Sequence, residues 1–192
     1  MQYNSKNREL SLKMGLDFAY LIRNEKEPIV FMCVGSDKVV GDSLAPIVGE
    51  YLTKKFKIKA YVYGSLKNPI TAINVLSAYN YIKVKHPKSK LIIIDATLSD
   101  EENINFVRLE NNGIIPAGYF KNGNKIMGDI SILGIVGSNI LTDKTFISGV
   151  RINSVINIAY FIANAINFAL NFAVYLKSCD TKNEIKSKLK VI

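Results

Sequence analysis

Residues 28–46 read PIVFMCVGSDKVVGDSLAP, and their order of apolar residues, glycines and acids indicates the architecture of the whole chain. The six apolar residues 29–34 lie between Pro28 and Gly35. Such a run is too short for a helix and too continuous for a half-exposed strand. It therefore predicts a central strand that is buried on both faces.

A loop with two acids, Asp37 and Asp42, follows this strand, and a helix is predicted over residues 43–56. Pro46 is compatible with that helix, because proline is tolerated in a first helical turn. In open α/β sheets, the loops at the carboxyl ends of the strands border the crevice where ligands bind. We therefore expect a ligand site at this loop.

The rest of the chain continues the alternation of strands and helices. A second continuous β-branched run over residues 91–94 ends in Asp95, which we interpret as an acid at the tip of a second buried strand. This alternation is typical of a doubly wound sheet with right-handed crossovers. Loops rich in Gly and Asn follow, so the sheet is expected to become mixed beyond Asp95. The remaining predicted helices cover residues 5–23, 70–84 and 155–176, and the remaining predicted strands cover residues 60–63, 104–109, 113–119 and 129–136.

Length and cysteine content limit the class of protein. The 192 residues, 48% of them hydrophobic, predict one domain over residues 1–192 with a sizeable core. Cys33 and Cys179 lie far apart in the sequence, which supports neither a disulfide framework nor a zinc cluster. The N-terminus lacks the unbroken apolar core of a secretion signal. We expect a cytoplasmic protein.

The formal net charge of +9 suggests the hypothesis of a nucleic-acid partner. However, the Lys residues are scattered along the chain and not gathered into one stripe, so we expect no nucleic-acid partner. The apolar segment 155–176 is long enough to cross a bilayer, yet Asn157, Asn164, Asn167 and Asn171 recur along one helical face. That pattern favours a helix packed on the sheet and no membrane partner. A solvated Lys-rich tail is expected over residues 177–192.

Asp42 and Asp95 are the candidate catalytic residues. Each has an alternative structural role, Asp42 as a helix N-cap and Asp95 as a polar strand end. Because both follow parallel strands, both carboxylates are expected to point into one crevice. Two close carboxylates cannot both ionise cheaply, so the pair offers an acid and a base that can activate water against an amide carbonyl. Metal binding is the alternative chemistry, although nickel or zinc would require an imidazole or a thiolate nearby.

Other candidates are weaker. The sole histidine, His86, is interpreted as a surface or capping residue, and Cys33 lies inside a strand, which disfavours nucleophilic mechanisms. Four further residues are second-rank site elements: Asp37, Asp129, Gly118 and Lys121. The segment with Gly118 and Lys121 is expected to approach the crevice, and Asp129 has an alternative role at the start of the next strand. The residues themselves indicate neither a cofactor nor a metal ion.

Several short motifs in combination resemble the YyaC-like sporulation proteins. They are the segments 35–37, 41–46, 63–64, 94–96, 128–130 and 134–136. These proteins are small relatives of the spore germination protease and, more distantly, of the hydrogenase maturation endopeptidases. The resemblance covers residues 29–170 approximately. It implies a three-layer α/β/α sandwich of the phosphorylase and hydrolase type with a mixed, mainly parallel sheet.

The resemblance also implies a function. The motifs that contain the two catalytic acids of the germination protease match this sequence at Asp42 and Asp95. The resemblance therefore implies an endopeptidase of sporulation or germination, in the sporulating cell or spore. Small acid-soluble spore proteins are then a candidate substrate. The histidine with which hydrogenase maturation endopeptidases bind nickel is missing from the corresponding segment, and no metal is expected. The rival hypothesis is an interaction protein that kept the fold without catalysis, and the oligomeric state is left open.

Overall fold

The chain is described by a computed structural model that covers residues 1–116, 125–139 and 150–189, with side chains described up to residue 176. The strands are β1 (Gln2–Asn4), β2 (Ile29–Cys33), β3 (Tyr61–Tyr63), β4 (Lys90–Ser99), β5 (Phe106–Glu110) and β6 (Ile130–Ser138). The α-helices of the described residues are α1 (Glu9–Ile22), α2 (Leu44–Glu50), α3 (Val75–Lys85) and α4 (Ile152–Leu189). A π-helical segment, Tyr51–Lys55, prolongs α2.

The six strands form one sheet in the order β1-β5-β6-β4-β2-β3. β2 pairs in parallel with β3 and β4, and β4 pairs in parallel with β6. β5 is antiparallel to β6, and β1 is antiparallel to β5. The prediction of a mainly parallel sheet that becomes mixed after Asp95 is confirmed.

Helices cover both faces of the sheet, as the continuous apolar run of β2 predicts. Phe31 and Cys33 face the larger part of the core, which contains α1, α2 and α4. Val30 and Met32 face the other side, where Val75 and Ile82 of α3 pack. The three-layer α/β/α sandwich is therefore confirmed.

Helix α4 is the main covering element of the larger core. Its segment Ile152–Leu176 is long and apolar enough to cross a membrane by length and composition, and half of its most apolar window is buried inside the protein. Asn164 donates a hydrogen bond to the Ser11 hydroxyl of α1 at 3.0 Å, so this amide is used within the helix interface. These contacts favour the predicted core helix.

The predicted helix over residues 5–23 is wrong at its start. Residues 2–4 form β1, and α1 begins only at Glu9. The backbone N–H of Glu9 donates a hydrogen bond to the Asn7 side chain at 3.1 Å. The sequence pattern did not reveal β1, because a three-residue strand gains its stability from pairing with β5, about a hundred residues away. At the other end of the chain, the helical backbone of α4 continues through the predicted tail as far as Leu189.

Helix α3 also begins later than residue 70, which was predicted as its start. Ile70 forms a parallel bridge with Val34, which extends the sheet beyond β2. The Asn74 carboxamide then accepts the backbone N–H of Thr71 at 2.7 Å, a turn that precedes the first helical residue, Val75. Of the strand predicted over 113–119, the described part forms an isolated bridge from Ile114 to Met127.

Candidate functional site

The chain changes direction in the sheet between β2 and β4. From β2 it passes through α2 to β3 on one side, and it then returns through α3 to β4 on the other side of β2. α2 and α3 lie on opposite faces of the sheet. Such a switch point opens a crevice at the carboxyl ends of its two strands, where ligands bind in open α/β folds.

Asp42 lies in the loop that leaves β2 at this crevice. The loop is held to the strand end by two backbone hydrogen bonds, from Gly35 N–H to the Ile70 carbonyl at 2.8 Å and from Ser36 N–H to the Asp42 carbonyl at 3.2 Å. Burial raises the pKa of the Asp42 carboxyl above its ordinary value, and the backbone N–H of Ser36 partly offsets this effect. Asp42 is thus favoured in its protonated form compared with an exposed carboxyl.

The alternative role of Asp42 as a helix cap is not what the structure shows. Asp42 is part of a short 3-10 turn, Gly41–Ser43, and α2 begins after Ser43 without a side-chain cap. The Ser43 hydroxyl donates instead to the Val40 carbonyl at 2.6 Å. Helix capping therefore does not account for an acid at this position.

Asp95 lies within a strand and not at its tip, which corrects the prediction. β4 continues to Ser99 beside β6, whereas β2 ends at Cys33, the partner of Ile94. The acid was read as a strand end because it interrupts an apolar run, but pairing with β6 keeps the backbone extended. Asp95 is therefore the first residue of β4 that has no partner in β2.

The Asp95 side chain is buried, with 2% of its surface exposed. Its Oδ1 accepts the backbone N–H of Ala96 at 2.8 Å. Alternation along β4 places Asp95 on the same face as Leu91 and Ile93, which is the face covered by α3. Asp42 belongs to the turn before α2, the helix that packs on the opposite face of the sheet.

The second-rank residues are not all brought to this crevice. Asp37 is exposed in the same loop as Asp42. Asp129 lies at the opposite end of the parallel strands, where its Oδ2 accepts the Leu91 N–H at 2.7 Å and its own N–H donates to the Leu91 carbonyl at 2.8 Å. These two hydrogen bonds join the start of β6 to the start of β4. Gly118 and Lys121 lie outside the described residues.

Arg108 of β5 is a charged residue on the Asp95 face of the sheet that the sequence interpretation did not single out. Its Nη2 donates to the Ser99 hydroxyl at the end of β4, at 2.9 Å. Arg108 pairs with Leu133, which in turn pairs with Asp95, so the three side chains share one face of the sheet. The alternation of apolar and polar residues in β5 could have indicated it, because Arg108 lies between the buried Val107 and Leu109.

The two nucleophile candidates have structural roles. Cys33 is fully buried, which raises the pKa of its thiol to about 12 and keeps it protonated. His86 follows α3 near the start of β4, away from the crevice, and its Nε2 lies 2.8 Å from the Tyr63 hydroxyl. Its ring also packs on Tyr61, with centroids 4.2 Å apart. Neither residue is placed to attack a substrate in the crevice.

The available donors limit the metal chemistry. Within the part of the chain that the structure describes, no three His, Cys, Asp or Glu side chains are grouped closely enough to hold a metal ion. The crevice offers carboxylates from Asp42 and Asp95 without an imidazole or a described thiolate, a set that suits a hard cation better than nickel or zinc.

Residues 1–165 match the sequence profile of a family described as a protein of unknown function, DUF1256. The chain belongs to the DUF1256 family. It is also similar to the uncharacterized protein YyaC of Bacillus subtilis, with 29% identity over 141 residues that cover 73% of this chain and 69% of YyaC. The predicted resemblance to YyaC-like proteins is therefore confirmed.

Among solved structures, the chain is similar to the [NiFe] hydrogenase maturation protease HycI from Thermococcus kodakarensis. The TM-score is 0.43 at 16% sequence identity, and the match covers 78% of this chain and 98% of HycI.

Proposed function

We propose that this DUF1256 protein is an endopeptidase that hydrolyses a peptide bond in a protein substrate with the acids Asp42 and Asp95. The topology supports the proposal, because β2 and β4 are neighbouring parallel strands, Asp42 follows β2, and Asp95 lies in β4 directly beyond its pairing with β2. Its place of action is the cytoplasm of a sporulating cell or spore, and small acid-soluble spore proteins are the candidate substrate.

The two acids divide the proton transfers between them. Asp95, oriented by the Ala96 N–H, takes a proton from a water molecule as the water oxygen bonds to the scissile carbonyl carbon. Asp42, whose pKa is raised by burial, donates its proton to the amide nitrogen as the carbon–nitrogen bond breaks. Hydrolysis consumes one water and leaves a carboxylic acid and an amine, and no cofactor is required.

The test is cleavage of a purified small acid-soluble spore protein by the wild-type chain and by Asp42→Asn. We expect the variant to be slower by a factor of about 10² to 10⁴, the usual contribution of one proton-transfer group. Glu27→Gln is the control, because Glu27 is an exposed acid before the start of β2, at the opposite end of the strand from Asp42, and its rate should equal that of the wild type. Cleavage by Asp42→Asn at the wild-type rate would contradict the proposal.

One observation favours a second candidate function. The 2% exposure of Asp95 leaves little of its carboxyl surface accessible to a substrate. A non-catalytic interaction protein that keeps the crevice would tolerate this burial. That function predicts no cleavage by the wild-type chain and a stable protein complex from sporulating cells that survives both Asp42→Asn and Asp95→Asn.

A further inference from the structure

A second concave site lies at the same edge of the sheet but on its α1 and α4 face. The cavity has a volume of about 560 Å³, within the range of small-molecule sites. It is bordered by the turn before α1, by Asn105 at the start of β5 and by the first turns of α4. Neither Asp42 nor Asp95 lines it, so it is separate from the candidate peptidase site.

The charged residues of this cavity are all of one sign. Lys6 and Arg8 line it, and no carboxylate is among its described lining residues. Neither cation forms an ion pair with another described residue. The two ion pairs among the described residues join Lys54 to Glu50 and Lys90 to Glu25, outside the cavity. Both side chains are exposed, so the cavity is lined by two positive charges without an ion-pair partner among the described residues.

The polar side chains of the wall fall into two groups. Ser5 and Ser11 are buried and donate to carbonyls, Ser5 to Asn105 at 2.6 Å and Ser11 to Arg8 at 2.8 Å. These bonds fix the wall. In contrast, the side chains of Asn105, Asn153 and Asn157 make no hydrogen bond to another described residue, and those of Asn153 and Asn157 are exposed. Each amide can donate to a ligand and accept from it.

The backbone of Asn105 is fixed at the wall of the cavity. Its φ of +73° is positive, a conformation in which Asn is several-fold enriched among residues other than glycine. Its backbone N–H donates to the Ile135 carbonyl at 3.0 Å, and its carbonyl accepts from both the N–H and the hydroxyl of Ser5. These hydrogen bonds fix the position of the Asn105 backbone at the wall of the cavity.

We propose that this cavity binds a small polar molecule that carries a phosphate group. Arg8 and Lys6 bind the phosphate oxygens, and the three unpartnered amides bind hydroxyl groups on the body of the ligand. The N-terminal end of α4, which carries a partial positive charge, strengthens the preference for an anion. Tyr160 and Phe161 supply the apolar part of the wall.

The test is calorimetric titration of the full chain with ribose 5-phosphate, with ribose and with inorganic phosphate as separate ligands. We expect ribose 5-phosphate to bind more tightly than inorganic phosphate, and ribose to show no heat of binding. Arg8→Gln should weaken ribose 5-phosphate binding at least about tenfold, because it removes a charged hydrogen-bond donor. Asn105→Gly, which suits the left-handed backbone, should weaken ribose 5-phosphate but not inorganic phosphate.

The matched control is Lys26→Gln, which removes the same charge from an exposed position outside the cavity and should leave binding unchanged. The proposal is overturned if neither phosphate ligand binds at about 10 mM, a concentration that would reveal even millimolar affinity. Equal weakening by Lys26→Gln and Arg8→Gln would indicate general surface charge and would also overturn it. So would equal affinity for inorganic phosphate and ribose 5-phosphate.

Discussion

Gly35 lies directly against the backbone of Asp42: a Cβ atom on Gly35 would stand 2.1 Å from the carbonyl oxygen of Asp42. Gly35 also adopts a φ of +150°, outside the usual range of L-residues. The loop that carries the acid is therefore folded back onto the residue where β2 ends. This close approach holds the backbone of Asp42 beside the end of β2, and only glycine provides the space for it.

Gly35→Ala should destabilise the chain and displace Asp42. We expect a loss of about 2–4 kcal/mol in the free energy of unfolding, because the added methyl group meets backbone atoms and not a flexible side chain. Urea unfolding measures it. Gly137→Ala is the control, since a Cβ there meets the Leu98 side chain at 3.2 Å, which can move. Equal losses in both variants would contradict the role of the Gly35 contact.

The raised pKa of Asp42 predicts a pH-dependent cost of folding. The folded chain holds this proton more tightly than the unfolded chain, so the stability that Asp42 contributes is present at low pH and is lost as the pH rises through the raised pKa. We expect Asp42→Asn to be more stable than the wild type near neutral pH, and this advantage to vanish on acidification below the ordinary carboxyl range. Urea unfolding at a series of pH values measures the difference.

Asp37→Asn provides the control for removing an acid from the same loop, because Asp37 is exposed. It should change the free energy of unfolding by less than about 0.5 kcal/mol, as is usual for exposed positions. A stability difference between Asp42→Asn and the wild type that did not change with pH would show that the Asp42 carboxyl titrates alike in the folded and unfolded chains.

The sole histidine should matter for stability and not for cleavage. His86→Phe keeps a ring beside Tyr61 but removes the hydrogen bond with the Tyr63 hydroxyl, which should cost about 1 kcal/mol. Tyr63→Phe removes the same bond and should cost a similar amount. We expect the cleavage rate of His86→Phe to equal that of the wild type. A large loss of cleavage in a folded His86→Phe protein would favour a histidine mechanism.

Much of the parallel core could be predicted from the sequence, because buried parallel strands leave strong signals. The apolar runs over 29–34 and 91–94 are long and β-branched enough to show two central strands. Because these strands are parallel and joined by crossover helices, the loop with Asp42 must lie at the edge of the sheet formed by their carboxyl ends. The position of the candidate site thus depends mainly on topology.

The parts that the sequence did not show depend on distant pairing. β1 pairs with β5, and β4 extends past Asp95 because β6 pairs with it. No local pattern around Asp95 reports the presence of β6, so the acid was placed at a strand tip. Of the two roles considered for Asp129, its hydrogen bonds with Leu91 confirm the structural one, at the start of the next strand.

The central claim is that Asp42 and Asp95 act as one acid and base pair. It is tested most directly by the cleavage rates of the wild-type chain, Asp42→Asn, Asp95→Asn and the double variant, with thermal unfolding to show that each protein is folded. Each single variant should lose at least about a hundredfold in rate, and the double variant should be no slower than the slower single variant, because paired groups fail as a unit. Cleavage at the wild-type rate by either folded single variant would contradict the account.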